Sequence, residues 1–287
     1  MMKLLIPFWT VIAVFAAYVT NPLARHYQEG QKITYHMKGV NEGWHYEVQA
    51  NGVVKKDSDG TFFEEVGWSN MIFQGKPVAL PSSSESFRQI LTLDPNHKPS
   101  FPNIAQVDPR LVGPLTDMLT FYVDVSLAEK SGKLMEAGDH FYLKRGNPAS
   151  WADGAHVLVG ESSIDFDFTL KNIDRSKKTV TLLARHVPPE KPQVRLAADW
   201  MQKPVTDTPN NWVQIQKTHD AKYTVSVGKE TFTDEIVLSL ADGKILSATM
   251  DNLVETVERE CSDQAATQCG DPSRHTIRRQ IEVSLDK

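Results

Sequence analysis

The stretch Phe232–Met250, FTDEIVLSLADGKILSATM, carries the clearest indication of the fold. Apolar side chains share one strand face before Asp242-Gly243, a dipeptide typical of tight hairpins, and a second β-like run follows it directly. Two strands this close in sequence pair only in the antiparallel direction, because parallel neighbours need a crossover of about a dozen residues or more. The stretch therefore predicts an antiparallel hairpin.

The rest of the chain repeats this pattern. Near the N-terminus, Trp44–Lys55 predicts two short strands around Asn51-Gly52, and Thr61–Trp68 predicts a strand after the turn Ser58-Asp59-Gly60. Further β-like runs follow at Ile164–Leu170, Thr179–Val187, Asn211–Thr218, Lys222–Val227, Leu253–Cys261 and Arg274–Leu285. We therefore expect a mainly β (α+β) fold: a long antiparallel curved sheet or meander, half-barrel-like, without internal repeats.

One segment departs from the β pattern. Apolar residues between Leu111 and Leu127 fall at helical spacing, which predicts about four turns of amphipathic helix ending near Gly132. We expect Pro114 to lie in the first turn of this helix, where a proline is tolerated, and Asp117 and Asp124 to lie on its polar side. We expect the helix to dock on the sheet; the alternatives are a cover over a ligand or a membrane contact. The proline-rich stretches 77–114 and 188–209 are expected to form surface loops or edge segments.

The N-terminus predicts export. Lys3 precedes the apolar run Leu4–Val14, and Val14-Phe15-Ala16 offers small residues for a signal peptidase, so cleavage after Ala16 is expected. The domain division is then a signal peptide at 1–16 and a single β-rich exported domain at 17–287. The alternative is an uncleaved membrane anchor. No second stretch of about 18 apolar residues occurs, so we expect no transmembrane domain after cleavage.

Composition narrows the classes of function. The 287 residues include 31 basic and 36 acidic side chains, giving a formal net charge of −5. Such a balance is typical of an ordinary globular chain and argues against a nucleic-acid binder, which normally carries a basic excess.

The two cysteines, Cys261 and Cys269, agree with an oxidising compartment. They are separated by the polar segment SDQAATQ, and we expect them to form a structural disulfide. A redox pair would favour the spacing CxxC, and a zinc site needs four ligands where only His275 lies nearby in sequence.

The search for catalytic chemistry finds no nucleophile elbow, phosphate-binding loop or zinc-protease motif. The nine histidines show no i,i+2 or i,i+4 spacing, so neither a local metal site nor a cofactor is predicted. Asp165 and Asp167 would lie about 6.5–7 Å apart on one strand face, where they could serve a sugar or calcium site or form a solvated face. Asp139 and His140 could line a small-molecule site with Trp151 and Asp153; the alternative is a loop anchored by the tryptophan.

Two charges stand on otherwise apolar strand faces. Arg279 shares its face with Ile277 and Ile281, and Asp234 shares its face with Phe232 and Ile236. A charge on such a face has to be paired or reach water. We expect Arg279 either to pair with a buried carboxylate, with Asp234 and Glu258 among the candidates, or to face a cavity that binds an anionic group.

The order of elements, from an export signal through one helix at Leu111–Leu127 to a terminal β meander, resembles that of bacterial lipoprotein-carrier half-barrels of the LolA/LppX type. The resemblance covers architecture and matches no motif. It implies a non-catalytic carrier for an apolar small molecule or lipid, with Arg279, Asp234, Trp151, Asp139 and His140 as candidate ligand contacts. The alternatives are an envelope-associated interaction module and a secreted carbohydrate-active hydrolase or lyase.

Overall fold

The computed structural model describes residues 21–41, 43–97, 107–144, 151–153, 156–158, 165–187, 198–208, 210, 212–218, 220 and 222–286. Only the backbone is described at 151–153, 156–158 and 212. The two α-helices of this part are α1 (Ser82–Ser86) and α2 (Pro109–Ser131), and a short 3-10 helix spans Asp199–Gln202. Its fourteen strands are β1 (Lys32–Asn41), β2 (Trp44–Lys56), β3 (Phe62–Phe73), β4 (Lys76–Pro77), β5 (Gln89–Thr92), β6 (His140–Leu143), β7 (Trp151–Asp153), β8 (His156–Leu158), β9 (Asp165–Asp174), β10 (Thr179–Val187), β11 (Trp212–Lys217), β12 (Tyr223–Ser239), β13 (Ile245–Cys261) and β14 (Ser273–Leu285).

The described strands form one antiparallel sheet, as the sequence predicts. Its main path runs β4-β3-β2-β1-β14-β13-β12-β10-β9-β6. The other strands pair at the margins: β5 with β3, β11 with β12 and β8, and β7 with β8. Strand β1, which the sequence analysis missed, pairs with β14 and so joins the N-terminal and C-terminal strands in the middle of the sheet.

The predicted antiparallel hairpin around Asp242-Gly243 is confirmed, but its turn is wider than the tight one expected, since residues 240–244 separate β12 from β13. The strands beside it are also longer than expected. The separately predicted runs Lys222–Val227 and Phe232–Leu240 lie in the single strand β12, and β13 likewise runs unbroken from Ile245 to Cys261. Gly243 has φ +72°, the left-handed conformation that such a turn requires. Gly228, which directly follows the predicted run Lys222–Val227, lies within β12 and pairs with Thr256.

The turn predicted at Asn51-Gly52 is wrong. Both residues lie inside β2, which pairs continuously with β1 from Trp44 to Val53. The glycine is needed for space rather than for a turn, because a Cβ at position 52 would lie 1.8 Å from Oε1 of Glu64. A glycine that makes room for a buried side chain has the same local sequence pattern as a glycine in a hairpin.

Helix α2 confirms the predicted helix and shows how its ends form. The side chain of Asp108 caps the start by accepting a hydrogen bond from the backbone N–H of Arg110, and Gly132 ends the helix at φ +61°. Pro114, expected in the first turn, lies inside the helix because α2 begins at Pro109. Asp117 and Asp124 do not lie on a solvent-facing side: they are 3% and 0% exposed.

The core lies between α2 and one face of the sheet. Buried side chains of the helix, including Leu115, Met118 and Phe121, pack with inward-facing residues such as Met37 and Phe168. A second, smaller cluster forms beyond the helix, around Val213, Val225 and Met201. Strands β12 and β13 extend through both regions, so the sheet is continuous between them. That residues 17–287 form a single domain stays a prediction.

Candidate functional site

The face of the sheet turned away from α2 carries a groove of about 790 Å³. Its floor is a row of seven residues, one from each of seven neighbouring strands, and each is paired with the next. In order, they are Leu183, Glu235, Thr249, Glu282, Lys38, Glu47 and Ile72. Neighbouring strands lie about 4.8 Å apart, so the row is about 28 Å long. A parallel row adds Thr233, Asp251, Gln280, Val40 and His45. The groove therefore runs across the strands and is long enough for an extended molecule.

The lining of this groove is apolar at both ends and acidic in between. Four carboxylates and one lysine line it, which gives a net charge of −3 when His45 is neutral. Three of the carboxylates have a cationic neighbour: Glu47 with Lys38 at 3.6 Å, Glu235 with Lys171 at 2.7 Å, and Asp251 with Arg278 at 2.6 Å. Glu282 makes no such pair within the part of the chain that the structure describes. Glu282 is therefore the lining carboxylate most available to a ligand.

The opposite face of the sheet contains a line of buried polar side chains beneath α2, which we call the helix seam. Its helix members are Asp117, Tyr122 and Asp124. Asp117 and Asp124 are seven residues apart, which is about two helical turns, so they project from the same face of α2. Each of the three helix residues contacts a different group of side chains on the sheet.

The first group contains Arg279. Its guanidinium pairs with Oδ1 of Asp117, and the Tyr46 hydroxyl donates a hydrogen bond to Oδ2 of the same carboxylate at 3.3 Å. Burial lowers the pKa of Arg279 and raises that of Tyr46. The expected ion pair with a buried carboxylate is present, but the partner is Asp117 from the helix rather than Asp234 or Glu258. Glu258 instead accepts a hydrogen bond from Ser226.

The second group surrounds Glu64, which is 0% exposed. The Tyr122 hydroxyl donates to its Oε2 at 2.5 Å and lies 3.2 Å from the Tyr35 hydroxyl. Oε1 of Glu64 is buried and has no hydrogen-bond partner among the described residues. Burial raises the pKa of Glu64 to about 7, against the smaller opposing effect of the Tyr122 hydrogen bond.

The third group joins two carboxyls and an imidazole. Nε2 of His186 lies 3.2 Å from Oδ1 of Asp124, and Asp234 is the third member of this buried cluster. Burial, and next the charge of Asp124, raise the pKa of Asp234 well above its usual range. The His186 ring lies against the rings of Phe166 and Phe232, with centroids 4.2 and 4.5 Å away. The spacing of the histidines in the sequence argued only against a metal site built from neighbouring residues. It does not bear on this cluster, because its three residues are far apart in sequence.

The other candidate residues do not join this cluster. Oδ2 of Asp139 accepts hydrogen bonds from the backbone N–H groups of Met135 and Glu136, and exposed His140 pairs with Asp167. Trp151 begins β7, but its side chain, like that of Asp153, lies outside the described residues.

Asp165 and Asp167 lie on the side of β9 opposite Phe166 and Phe168. Asp165 accepts a hydrogen bond from the Tyr142 hydroxyl at 2.8 Å, and Asp167 lies 3.6 Å from Arg185. Asp165 is 4% exposed and Asp167 is half-buried, so this strand face is polar but not the solvated face expected from the sequence. A sugar or calcium site there stays a prediction.

The sequence analysis missed Glu64, Asp117, Asp124 and His186 as members of the helix seam. For two of them a signal existed: Glu64 shares a strand face with Val66 and Trp68, and His186 shares one with Leu182 and Ala184. The argument that singled out Arg279 would also have found these. It does not extend to α2, where the carboxylates fit the pattern of a solvated helix face.

The predicted disulfide is present between Cys261 and Cys269. It closes the turn between β13 and β14 beside the smaller core cluster. Among the described helices, α2 has the length and hydropathy of a membrane-spanning segment, and 67% of that stretch is buried inside the fold. The core helix of a globular fold can have the same length and hydropathy.

No protein-family model, curated protein or solved structure matches the chain. The resemblance to lipoprotein carriers therefore stays a prediction from the order of elements.

Proposed function

We propose that this chain is an exported, non-catalytic binding protein and that the groove on the outward face of the sheet holds an elongated organic cation with an apolar body. The observation that carries the proposal is the row of seven paired residues along a groove of about 790 Å³, a volume within the usual range for ligand sites. Export is supported by the N-terminal signal pattern and agrees with the disulfide.

The chemistry of the lining favours a cation. Leu183 and Ile72 offer apolar contacts at the two ends, and Glu235 and Glu47 lie about 19 Å apart across four inter-strand spacings. Glu282, which makes no ion pair with the described residues, lies between them. A chain of methylenes with an ammonium group at each end combines these features, since its body can lie along the floor while its ends approach carboxylates.

This proposal keeps the binding role expected from the sequence and moves the ligand to the other face. The face that a lipoprotein carrier of the expected type would use is covered here by α2, whose inward side chains are packed into the core. The groove on the opposite face is open to a ligand. An apolar molecule without charge would leave the acidic middle of the groove uncompensated.

The test compares dodecane-1,12-diamine with dodecanedioate, which has the same length and the opposite charge. Isothermal titration calorimetry measures affinity, and amide chemical shifts in NMR locate the bound ligand. We expect the diamine to bind, with shifts at Thr249 and Gln280, and the dioate to bind at least tenfold more weakly. Raising the salt concentration should weaken diamine binding because exposed charges are screened.

Glu282→Lys is the informative variant, and Glu136→Lys is its matched control. Glu136 is an exposed carboxylate outside the groove. Replacing an attraction of about 0.5 kcal/mol with a similar repulsion should weaken diamine binding about fivefold in Glu282→Lys. The control should bind like the unaltered protein. Equal binding of diamine and dioate, or equal weakening in both variants, would refute the proposal.

A further inference from the structure

The third group of the helix seam combines three donors of the kind that hold a metal ion. Asp124 comes from α2, His186 from β10 and Asp234 from β12, and all three side chains are buried. One donor atom from each lies within 4.8 Å of the others. Around a zinc ion with bonds of about 2.1 Å, tetrahedral ligands are about 3.4 Å apart. The pair His186 Nε2 and Asp124 Oδ1, at 3.2 Å, already has this separation.

Asp234 provides a second, independent observation. Both of its carboxyl oxygens are buried, and neither accepts a hydrogen bond from an N–H or hydroxyl group of the described residues. The carboxyl of Asp124 lies beside it and can share a hydrogen bond with it only when one of the two carboxyls keeps a proton. Buried polar atoms in native proteins are nearly always satisfied, so two such oxygens on one side chain require an explanation. A cation beside them supplies the missing interaction.

The charges of the cluster also match a divalent ion. Two carboxylates and a neutral imidazole together carry a charge of −2, which a divalent ion balances. Without the ion, two ionised carboxylates buried beside each other would be costly. Imidazole together with carboxylate oxygen suits first-row transition metals better than it suits calcium or magnesium. The rings of Phe166 and Phe232 on the two sides of His186 restrict the orientation of the imidazole.

We propose that Asp124, His186 and Asp234 bind a divalent transition-metal ion, for which Zn²⁺ is the probe. The ion connects α2 to β10 and β12 and so fixes the helix on the sheet. The site lies on the opposite face of the sheet from the groove and is independent of the proposed binding function.

The experiment uses the untagged full chain, because a histidine tag would itself bind zinc. The protein is refolded from denaturant with its disulfide intact, once with Zn²⁺ and once with chelator, and then desalted. Elemental mass spectrometry gives zinc per chain, and thermal unfolding gives the midpoint. We expect about one zinc per chain and a higher midpoint in the zinc-loaded sample.

Asp234→Asn and His186→Gln should each lose the bound zinc and the rise in midpoint. The matched control is His140→Gln, which removes an exposed histidine that pairs with a carboxylate and should keep one zinc per chain. Asp234→Asn preserves the side-chain shape, so it decides the question if His186→Gln fails to fold. As a second readout, Co²⁺ should give a visible absorption band in the unaltered protein that Asp234→Asn lacks.

Two results would overturn the proposal. The first is a zinc content well below one per chain in the unaltered protein refolded with excess metal. The second is equal zinc content in the unaltered protein and in folded Asp234→Asn.

Discussion

The buried carboxyl of Glu64 makes a quantitative prediction about stability. In Glu64→Gln the side chain keeps its size and its acceptor for the Tyr122 hydroxyl, but it no longer ionises. In the unaltered protein, burial raises the pKa of Glu64 from 4.5 to about 7. Between these two values the unfolded chain has already released the proton while the folded chain still holds it. Stability is therefore fully retained below pH 4.5, falls as the pH rises towards 7, and then stays at the lower level.

The size of the effect follows from the same pKa difference. One pKa unit corresponds to about 1.36 kcal/mol, so the full loss is about 3 kcal/mol, and about 2.5 kcal/mol of it falls between pH 5 and pH 8.5. Glu230 and Asp234 also have raised pKa values, so the unaltered protein alone shows a larger total dependence. The difference between the two proteins isolates Glu64. Tyr122 and Tyr35 have pKa values raised well above the usual tyrosine range, so they do not contribute in this window.

The measurement is the free energy of urea unfolding from tryptophan fluorescence, at half-unit steps from pH 5 to pH 8.5 with the disulfide intact. Glu64→Gln should gain about 2.5 kcal/mol relative to the unaltered protein across this range. The control, Glu65→Gln, changes the neighbouring carboxylate of β3, which pairs with Lys55 on the other face of the strand. Its difference from the unaltered protein should stay nearly constant. A constant difference for Glu64→Gln as well would refute the reasoning.

Three further predictions concern stability and are checked by denaturant unfolding. Gly52→Ala should lose about 1–3 kcal/mol of unfolding free energy because the new Cβ meets the Glu64 side chain. The control Gly67→Ala places its Cβ 3.4 Å from the Arg88 side chain and should change stability by less than about 1 kcal/mol. Similar losses in both variants would contradict the argument that Gly52 makes room for Glu64. Asp117→Asn should lose about 1.5–3 kcal/mol because it leaves the part-buried Arg279 guanidinium without its carboxylate. The double variant Asp117→Leu, Arg279→Met should regain most of this, and no recovery would argue against the ion pair as the cause. Replacing Cys261 and Cys269 with serine should lower the unfolding free energy by about 2.5 kcal/mol, because the unfolded chain without the disulfide has more conformational entropy. An unchanged unfolding free energy would show that the bond adds nothing to stability.

The antiparallel sheet and the main helix were predictable because their signals are local. Alternation in β9 and β12, the turn at Asp242-Gly243 and helical spacing between Leu111 and Leu127 each depend on residues close in sequence. The failure at Asn51-Gly52 has a non-local origin. Asn51-Gly52 gave the pattern of a turn because the side chain that requires the glycine, Glu64, comes from the next strand. The position of Glu64 against β2 is a property of strand pairing and not of the local sequence.

The candidate sites were less predictable than the fold. Arg279 stood out as a charge on an apolar face, and the existence of a partner followed from the cost of burying it alone. The identity of that partner did not, because Asp117 lies 162 residues away on the helix. The groove was not predicted at all. Its row of seven residues is formed by register, and no two of the row's members are neighbours in sequence.

The sequence by itself therefore determined the main helix, most of the longer strands and the antiparallel direction of their pairing, since hydrophobic period and turn chemistry act over a few residues. Only the tertiary structure decided that β1 pairs with β14, that Asp117 and Asp124 face inward, and that Asp124, His186 and Asp234 meet. The physical reason is that a carboxylate on an amphipathic helix is stable either in water or beside a buried partner. Which of the two applies depends on what the opposing sheet presents to it.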